Sequence, residues 1–172
     1  MKLISSQKHA RELSRQLREG SGKHLSNRRS IAALSLAAAG AMGLISLYQI
    51  GLIRHLPEPP LPLLDADEVD ASPEAYEKLE TPDAVVGLAS YGATVILATM
   101  GGRDRAREKP WIPLALAGKV MFDAVNAAKL TVDQWTRHRS FCFWCLLGAG
   151  ATFAMVPLVI GEAREALAAL DE

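Results

Sequence analysis

The sequence contains only two cysteines, few aromatic residues (6% of the chain) and no net formal charge. Two cysteines exclude a scaffold held by several disulfides and a zinc site with four cysteine ligands. Nineteen basic and nineteen acidic residues cancel, which argues against a nucleic-acid binder with a strongly basic surface. At 172 residues the chain has room for one domain.

Charge is absent from three long runs, residues 31–53, 84–102 and 140–161, which contain no Asp, Glu, Lys or Arg. About 20 apolar residues in a helix cross the roughly 30 Å of hydrocarbon in a bilayer, so each run is long enough to span a membrane. The first run is longer than the roughly 7–15 residues of a signal-peptide core, which favours a true span over a cleaved leader.

A fourth apolar segment, residues 111–132, is long enough to cross a membrane but carries charged side chains. Lys119 and Asp123 are four residues apart, as are Lys129 and Asp133, so on a helix these opposite charges pair along one face. Ionisable groups at membrane depth normally pair and face the interior of a bundle, which favours a fourth span. The alternative is an amphipathic helix on the membrane surface.

These patterns predict an all-α fold, an integral membrane four-helix bundle with an acidic extracytoplasmic loop that contains a short helix. The predicted parts are a basic segment at 1–30, a transmembrane domain at 31–162 with spans at about 31–53, 84–102, 111–132 and 140–161 and an outer loop at 54–82, and a C-terminal tail at 163–172.

The placement of Lys and Arg predicts the orientation in the membrane. Segment 1–30 has eight basic residues and segment 103–109 has four, whereas the loop 54–82 has only two, against eight acidic residues. Because cytoplasmic segments are enriched in Lys and Arg, both termini are expected on the cytoplasmic side of an inner or plasma membrane. The N-terminal segment is expected to form a short amphipathic helix that rests on membrane lipid, or else a solvated extension.

The acidic loop begins with the proline-rich stretch PEPPLPLL, which favours an extended exit from the first helix. After it, Ser72 as N-cap, Pro73 at the first helical position, and Glu74 and Glu77 in the first turns predict a short acidic helix. The acidic residues at 65–70 lack the Gly and the terminal Glu of an EF-hand, which argues against a calcium loop.

The strongest chemical signal is the segment FCFWC at residues 141–145. A Cys-x-x-Cys pair at the start of a helix can close a small disulfide ring, and the helix N-terminus favours the thiolate of Cys142. In the predicted topology the pair opens the last helix at its outer end. Two alternatives remain: the cysteines only pack, or they bind a metal together with two further ligands, for which His55 and His138 are the candidates.

Several positions form a recognisable set. They are Tyr48, the loop segment Val69-Asp70-Ala71-Ser72, the run Pro82 to Gly87 with Tyr91, and Cys142-Phe-Trp-Cys145-Leu146 at the start of the last helix. Together they resemble the vitamin K epoxide reductase family of four-helix membrane thiol oxidoreductases. The resemblance covers roughly residues 31–162.

The resemblance implies a catalytic cysteine pair, in which Cys145 faces a quinone and Cys142 exchanges with other thiols. It implies that Asp83 binds a quinone carbonyl, with Gly87 in the same motif, and Ser72 matches a loop hydroxyl residue of the family. Phe141 and Trp144 are candidate walls of a flat apolar slot. The expected co-substrate is a quinone such as ubiquinone or menaquinone, and no metal is expected.

The sequence departs from the family pattern in its loop, because residues 64–69 contain no cysteine where many members have a second, relaying pair. Residues 146–149 also lack a tyrosine that some members use near the quinone. We therefore expect an extracytoplasmic dithiol or thioredoxin-like protein to react directly with Cys142, and no nucleic-acid partner. The alternative is a non-enzymatic membrane interaction protein, or a small transporter subunit, in which the cysteines only pack.

Overall fold

The computed structural model describes residues 2–76 and 80–171, and within them the regular elements are helical, which confirms the all-α fold class. The elements are α1 (Lys2–Glu19), α2 (Lys23–Gln49), α3 (Ala66–Asp70), a 3₁₀ turn (Pro73–Tyr76), α4 (Asp83–Thr99), α5 (Arg105–Glu108), α6 (Trp111–Asp133), a π-helical segment (Gln134–His138) and α7 (Phe143–Ala168).

The core is formed by the four longer helices that follow α1. Helix α2 packs along both α4 and α7, and α6 packs along α7 and, over a smaller area, against α4. The central cluster takes side chains from all four helices: Ile31, Ala98, Leu116, Val120, Met155 and Val159.

Two of these helices are long and apolar enough to cross a membrane, α2 from His24 onward and α7. Helix α4 is apolar but shorter, with 17 residues, and α6 carries the charged face described above. The four-span topology, the domain boundaries and the cytoplasmic placement of both termini stay predictions.

The charged face of α6 forms both of the predicted ion pairs. Lys119 contacts Asp123 and also donates to the hydroxyl of Ser90 on α4 at 2.9 Å, so this pair is mostly buried between two helices. Lys129 contacts Asp133, but its side chain is 67% exposed. One pair therefore faces the helix interface and the other lies at the surface.

The end of the molecule opposite the cysteines is held by two buried arginines. Arg28, inside α2, donates to the carbonyl oxygens of Ala98, Met100, Gly101 and Gly102, and so satisfies groups that the end of α4 leaves without partners. Helix α2 starts at Lys23, ahead of the predicted span, so Arg28 and Arg29 lie within the helix.

The second buried arginine, Arg105, forms a bidentate ion pair with Glu162 of α7, with N–O distances of 2.8 and 2.7 Å. The same guanidinium donates to the carbonyls of Leu97 and Met100 on the last turn of α4. Arg28, Arg105 and Glu162 are called the arginine cluster below. Arg28 and Arg105 both count as cytoplasmic charges in the predicted orientation, but their side chains are buried within the fold.

The N-terminal segment is helical over α1, as one of the two sequence alternatives predicts. Its end is fixed to α2, because Arg29 donates to the carbonyls of Leu17 and Gly20 at 2.7 and 2.9 Å. Its contact with membrane lipid stays a prediction.

The loop helix begins earlier than the sequence suggests. Asp65 accepts a hydrogen bond from the amide of Glu68 and caps α3, whereas the predicted start at Ser72 and Pro73 gives only a 3₁₀ turn. The reason is that Val69 and Asp70 are buried against the cysteine end, so tertiary packing fixes this turn. Glu77 lies outside the described residues.

Candidate thiol site

The two cysteines lie at the N-terminus of α7. Cys142 is its N-cap residue, and its sulfur accepts a hydrogen bond from the amide of Cys145 at 3.2 Å. The amide of Cys142 in turn donates to the side-chain oxygen of Gln134 at 3.0 Å. Both thiols are free, Cys142 fully buried and Cys145 partly buried. This is the geometry in which helix amides stabilise negative charge on sulfur.

A carboxyl group from the loop completes the site. Asp70, the last residue of α3, lies with Oδ1 3.5 Å from the sulfur of Cys145, which donates to it. The ligand atoms of Asp70, Cys142 and Cys145 all lie within 4.8 Å of one another. We call these three residues the thiol–carboxylate cluster.

Asp70 is only 3% exposed, and its second oxygen, Oδ2, is buried without a hydrogen-bond partner. Burial raises the pKa of Asp70 to about 6, with the nearby Asp83 carboxyl raising it further and hydrogen bonds from the two thiols opposing the shift. A group that titrates near neutrality thus touches the cysteine pair.

Gln49, the last residue of α2, holds this end of the molecule together. Its side-chain amide donates to the Asp83 carboxylate at 2.8 Å and to the backbone carbonyl of Asp70 at 3.2 Å. Its oxygen accepts from the amide of Ala84 at 3.2 Å. Asp83 is therefore close to the cluster and fixed by α2, on the side where the sequence predicts a quinone-binding residue.

The cluster has fewer ligands than a structural metal site. A closed zinc site uses four protein ligands, and in the described part of the chain no fourth His, Cys, Asp or Glu atom joins the three. Of the two histidines considered from the sequence, His55 pairs with Asp67 at 2.7 Å. The arrangement fits thiol chemistry with an adjacent proton carrier better than it fits metal binding.

The loop covers Cys142. Leu56, Ala66 and Val69 pack on it from the loop side. The backbones of Leu63 and Asp65 form hydrogen bonds with Phe141, at 2.7 and 3.0 Å. The cysteine expected to exchange with outside thiols is thus reached only when the loop moves.

The indole of Trp144 helps to hold this loop against α7, because its N–H donates to the carbonyl of Pro57 at 2.8 Å. We expect Trp144→Phe, made with Cys145→Ser so that only Cys142 reacts, to raise the alkylation rate of Cys142 about 2–10-fold, the equivalent of one hydrogen bond. The measurement is maleimide labelling followed by mass spectrometry. Trp111→Phe, at an exposed tryptophan far from the loop, is the matched control and should change nothing; equal rates in both variants would contradict the role of Trp144.

The other predicted quinone-site residues, Trp144, Phe141 and Gly87, have three different surroundings in the structure. Trp144 packs against the buried cluster around Cys142, whereas the ring of Phe141 stacks on Trp135, with ring centroids 5.7 Å apart. Gly87 lies against α2, because a Cβ there would be 2.9 Å from the sulfur of Met42. Their roles toward a quinone stay predictions.

Sequence reasoning missed the roles of Asp70 and Gln49. Asp70 was part of the loop motif but had no chemical role, since it is one of many acids in that loop. Gln49 is the polar residue near the end of a charge-free run, which is the signal that could have identified it.

Tyr91, whose hydroxyl bonds Thr152 at 2.8 Å and the Gly148 carbonyl at 3.1 Å, joins α4 to α7 one turn beyond Cys145.

Comparison with known proteins gives one result. A family model described as the vitamin K epoxide reductase family matches residues 29–160. No curated protein and no solved structure matches the chain. The matched range includes the cysteine pair, the loop, all of α4 and α6, and most of α2 and α7.

Proposed function

The chain belongs to the vitamin K epoxide reductase family, whose membership indicates membrane thiol–quinone oxidoreductase activity, and from this we propose that it couples disulfide exchange at Cys142 and Cys145 to quinone reduction. The observation that carries the proposal is the pair of free thiols at the start of α7 beside the buried carboxyl of Asp70. A pair that only packs has no need of a buried acid without a cationic partner, since such burial costs free energy.

The first half-reaction oxidises a dithiol. A substrate thiolate attacks the sulfur of Cys142 in the oxidised pair, the Cys142–Cys145 bond breaks, and Cys145 leaves as the free thiol. The second substrate thiol then displaces Cys142 from the mixed disulfide. Two electrons pass to the protein, and two protons leave the substrate.

The second half-reaction returns those two electrons to a quinone, which takes up two protons, and the Cys142–Cys145 bond forms again. Cys145 lies inside α7, one position beyond Trp144, whereas Cys142 is the N-cap residue under the loop, so we assign the quinone reaction to Cys145. Asp83, fixed by Gln49, is the polar group that the family motif assigns to a quinone oxygen.

We assign the quinone ring to the region between α2, α4 and α7, which the side chain of Met42 now fills. Gly87 on α4 and Gly148 on α7 have no side chains, and both face the side chain of Met42, which comes within 2.9 and 3.4 Å of the positions their Cβ atoms would take. Methionine is flexible and adapts to irregular spaces. A quinone ring would therefore enter by displacing Met42 from Gly148, which lies one helical turn after Cys145 on α7.

Met42→Phe should reduce quinone use without affecting the dithiol half-reaction, because a rigid ring would occupy the space that a quinone needs. We expect kcat/KM for the quinone to fall about 10-fold or more, a change on the scale that a misfitted side chain causes in an apolar site. Rapid mixing measures both half-reactions separately. Phe153→Leu, at an exposed position on α7, is the control. Equal losses in both half-reactions would place Met42 outside the quinone site.

The partner on the dithiol side is an extracytoplasmic dithiol or thioredoxin-like protein. The described loop carries many carboxylates and no cysteine, so the partner must reach Cys142 itself rather than a relay. The loop contacts at Phe141 and Trp144 must open first, and partner binding is the event that would open them.

The proposal is tested with purified protein in lipid nanodiscs, a reduced dithiol, and a ubiquinone or menaquinone analogue. We expect both to be consumed in a one-to-one ratio. Alkylation before and after reductant separates the alternatives: a reversible disulfide supports redox work, whereas thiols that never change state would support packing alone.

A further inference from the structure

The thiol–carboxylate cluster contains a group that thiol exchange by itself does not require. Asp70 Oδ1 is 3.5 Å from the sulfur of Cys145, its Oδ2 has no partner, and its side chain is almost fully buried. Buried carboxylates are usually paired with a cation or fully hydrogen-bonded. Here the neighbouring donors are the two thiols.

We infer that Asp70 is the proton carrier of this site, giving a proton to the Cys145 sulfur when the disulfide opens and taking it back when the disulfide closes. The inference rests on the proposed function for its place in a cycle. Its geometric basis is independent of the quinone, since it concerns only the contact between a loop carboxyl and a cysteine of α7.

Opening of the disulfide moves one proton from Asp70 to the sulfur of Cys145. The substrate thiolate forms a bond to Cys142, the Cys142–Cys145 bond breaks, and the electron pair leaves on the Cys145 sulfur. Protonated Asp70 donates its proton to that sulfur and becomes a carboxylate. Release of the oxidised substrate then leaves Cys142 to take a proton from solution.

The closing step reverses the transfer at Asp70. Its carboxylate takes the proton of Cys145, Cys142 returns its proton to solution, the Cys142–Cys145 bond forms, and two electrons pass to the oxidant. Over the whole cycle Asp70 gains and loses one proton. The two protons lost by the substrate dithiol equal the two that the reduced quinone takes up.

The groups around Asp70 make this exchange feasible near neutral pH. Cys142 and Cys145 face it from α7, Asp83 from α4, Tyr48 from α2 and Glu58 from the loop. None of these neighbours is a cation, so burial dominates and holds the pKa of Asp70 at about 6. A proton carrier works best when its pKa lies near the working pH.

The test measures formation of the Cys142–Cys145 disulfide in the reduced protein from pH 5 to 8.5, with a chelator present. One arm uses a quinone analogue as oxidant and the other uses diamide, which needs no quinone site. We expect the wild-type rate in both arms to rise with a midpoint near pH 6, well below the value of about 8.5 for an unassisted thiol.

Asp70→Asn should remove that step and slow closure at pH 7 about 100-fold, as expected when a general base is lost. Asp70→Glu should restore part of the rate and keep a step. Glu68→Gln changes an exposed acid on the same short helix and should behave as wild type.

The outcomes separate the two claims. Suppose that Asp70→Asn removes the pH step with diamide, while the quinone analogue forms no disulfide even in the wild type. That result would support Asp70 as the proton carrier and contradict the proposed quinone chemistry. A diamide profile that Asp70→Asn leaves unchanged would overturn the proton carrier, whatever the quinone arm shows. If Asp70→Asn does not fold, the wild-type profile decides, because a midpoint near 8.5 instead of 6 contradicts the inference.

Discussion

Cys145→Ala should abolish dithiol-dependent quinone reduction. Loss of a residue that forms covalent bonds in a reaction lowers its rate by roughly 10⁴–10⁶-fold, so turnover should fall to the uncatalysed background. The change itself is mild for the fold, since Cys145 is only partly buried and its amide, which bonds the sulfur of Cys142, is retained. The measurement is quinone consumption with a reduced dithiol in nanodiscs.

The same variant provides a second readout. With Cys145 absent, Cys142 can still form a mixed disulfide with a partner, but no neighbouring thiol resolves it. Mass spectrometry of the trapped species would identify the dithiol partner. Trp111→Phe is a control for the assay, and near-normal turnover in Cys145→Ala would rule out the proposed reaction.

Arg105→Met should lower the free energy of unfolding by about 3–5 kcal/mol, because it leaves the buried carboxylate of Glu162 without its cation. The guanidinium also supplies donors to carbonyls at the end of α4, and those acceptors lose their partner as well. The measurement is denaturant unfolding in detergent, followed by tryptophan fluorescence.

Two comparisons make the Arg105 prediction specific. Arg107→Met breaks an ion pair with Glu165 at the surface, where the Arg107 side chain is 74% exposed. This change should lower the free energy of unfolding by less than about 1 kcal/mol. The double variant Arg105→Met with Glu162→Leu removes both buried charges and should recover most of the loss. If Arg105→Met lowers the free energy of unfolding no more than Arg107→Met does, the arginine cluster does not stabilise the fold.

Much of the architecture follows from charge distribution. Most of each run at 31–53, 84–102 and 140–161 lies in a helix, since a long segment without charge favours burial or a membrane, where backbone groups must bond one another. The four-residue spacing predicts both ion pairs of α6, and both form; Lys119 and Asp123 lie between helices, where Lys119 contacts Ser90, whereas Lys129 is exposed, contrary to the expectation that the whole face points inward. The cysteine pair was expected at the start of the last helix, where it lies.

What the sequence could not give is the pairing of distant segments. Asp70 and Cys145 are 75 residues apart, and nothing in an acidic loop indicates which carboxylate turns inward. Arg28 and Arg105 count as surface charges in any rule based on composition, yet both are buried because the end of α4 offers them carbonyl acceptors. Local patterns predict elements, whereas these contacts depend on how the elements pack.

The start of the loop helix also depends on packing that the local sequence does not reveal. Ser72 and Pro73 have the residue types of a helix start, but the helix forms earlier, where Asp65 caps it. Burial of Val69 and Asp70 against the cysteine end favours the earlier turn. Capping preferences of about 1 kcal/mol are easily outweighed by the packing of such side chains.

The central claim is that Cys142 and Cys145 pass two electrons to a quinone. The most direct test mixes anaerobic, fully reduced protein with one equivalent of a ubiquinone or menaquinone analogue and no other oxidant, then counts free thiols and quinol. We expect two thiols lost and one quinol formed per chain, with the bond between Cys142 and Cys145 identified in the digested peptide. Two free thiols and unreduced quinone after prolonged incubation would contradict the claim.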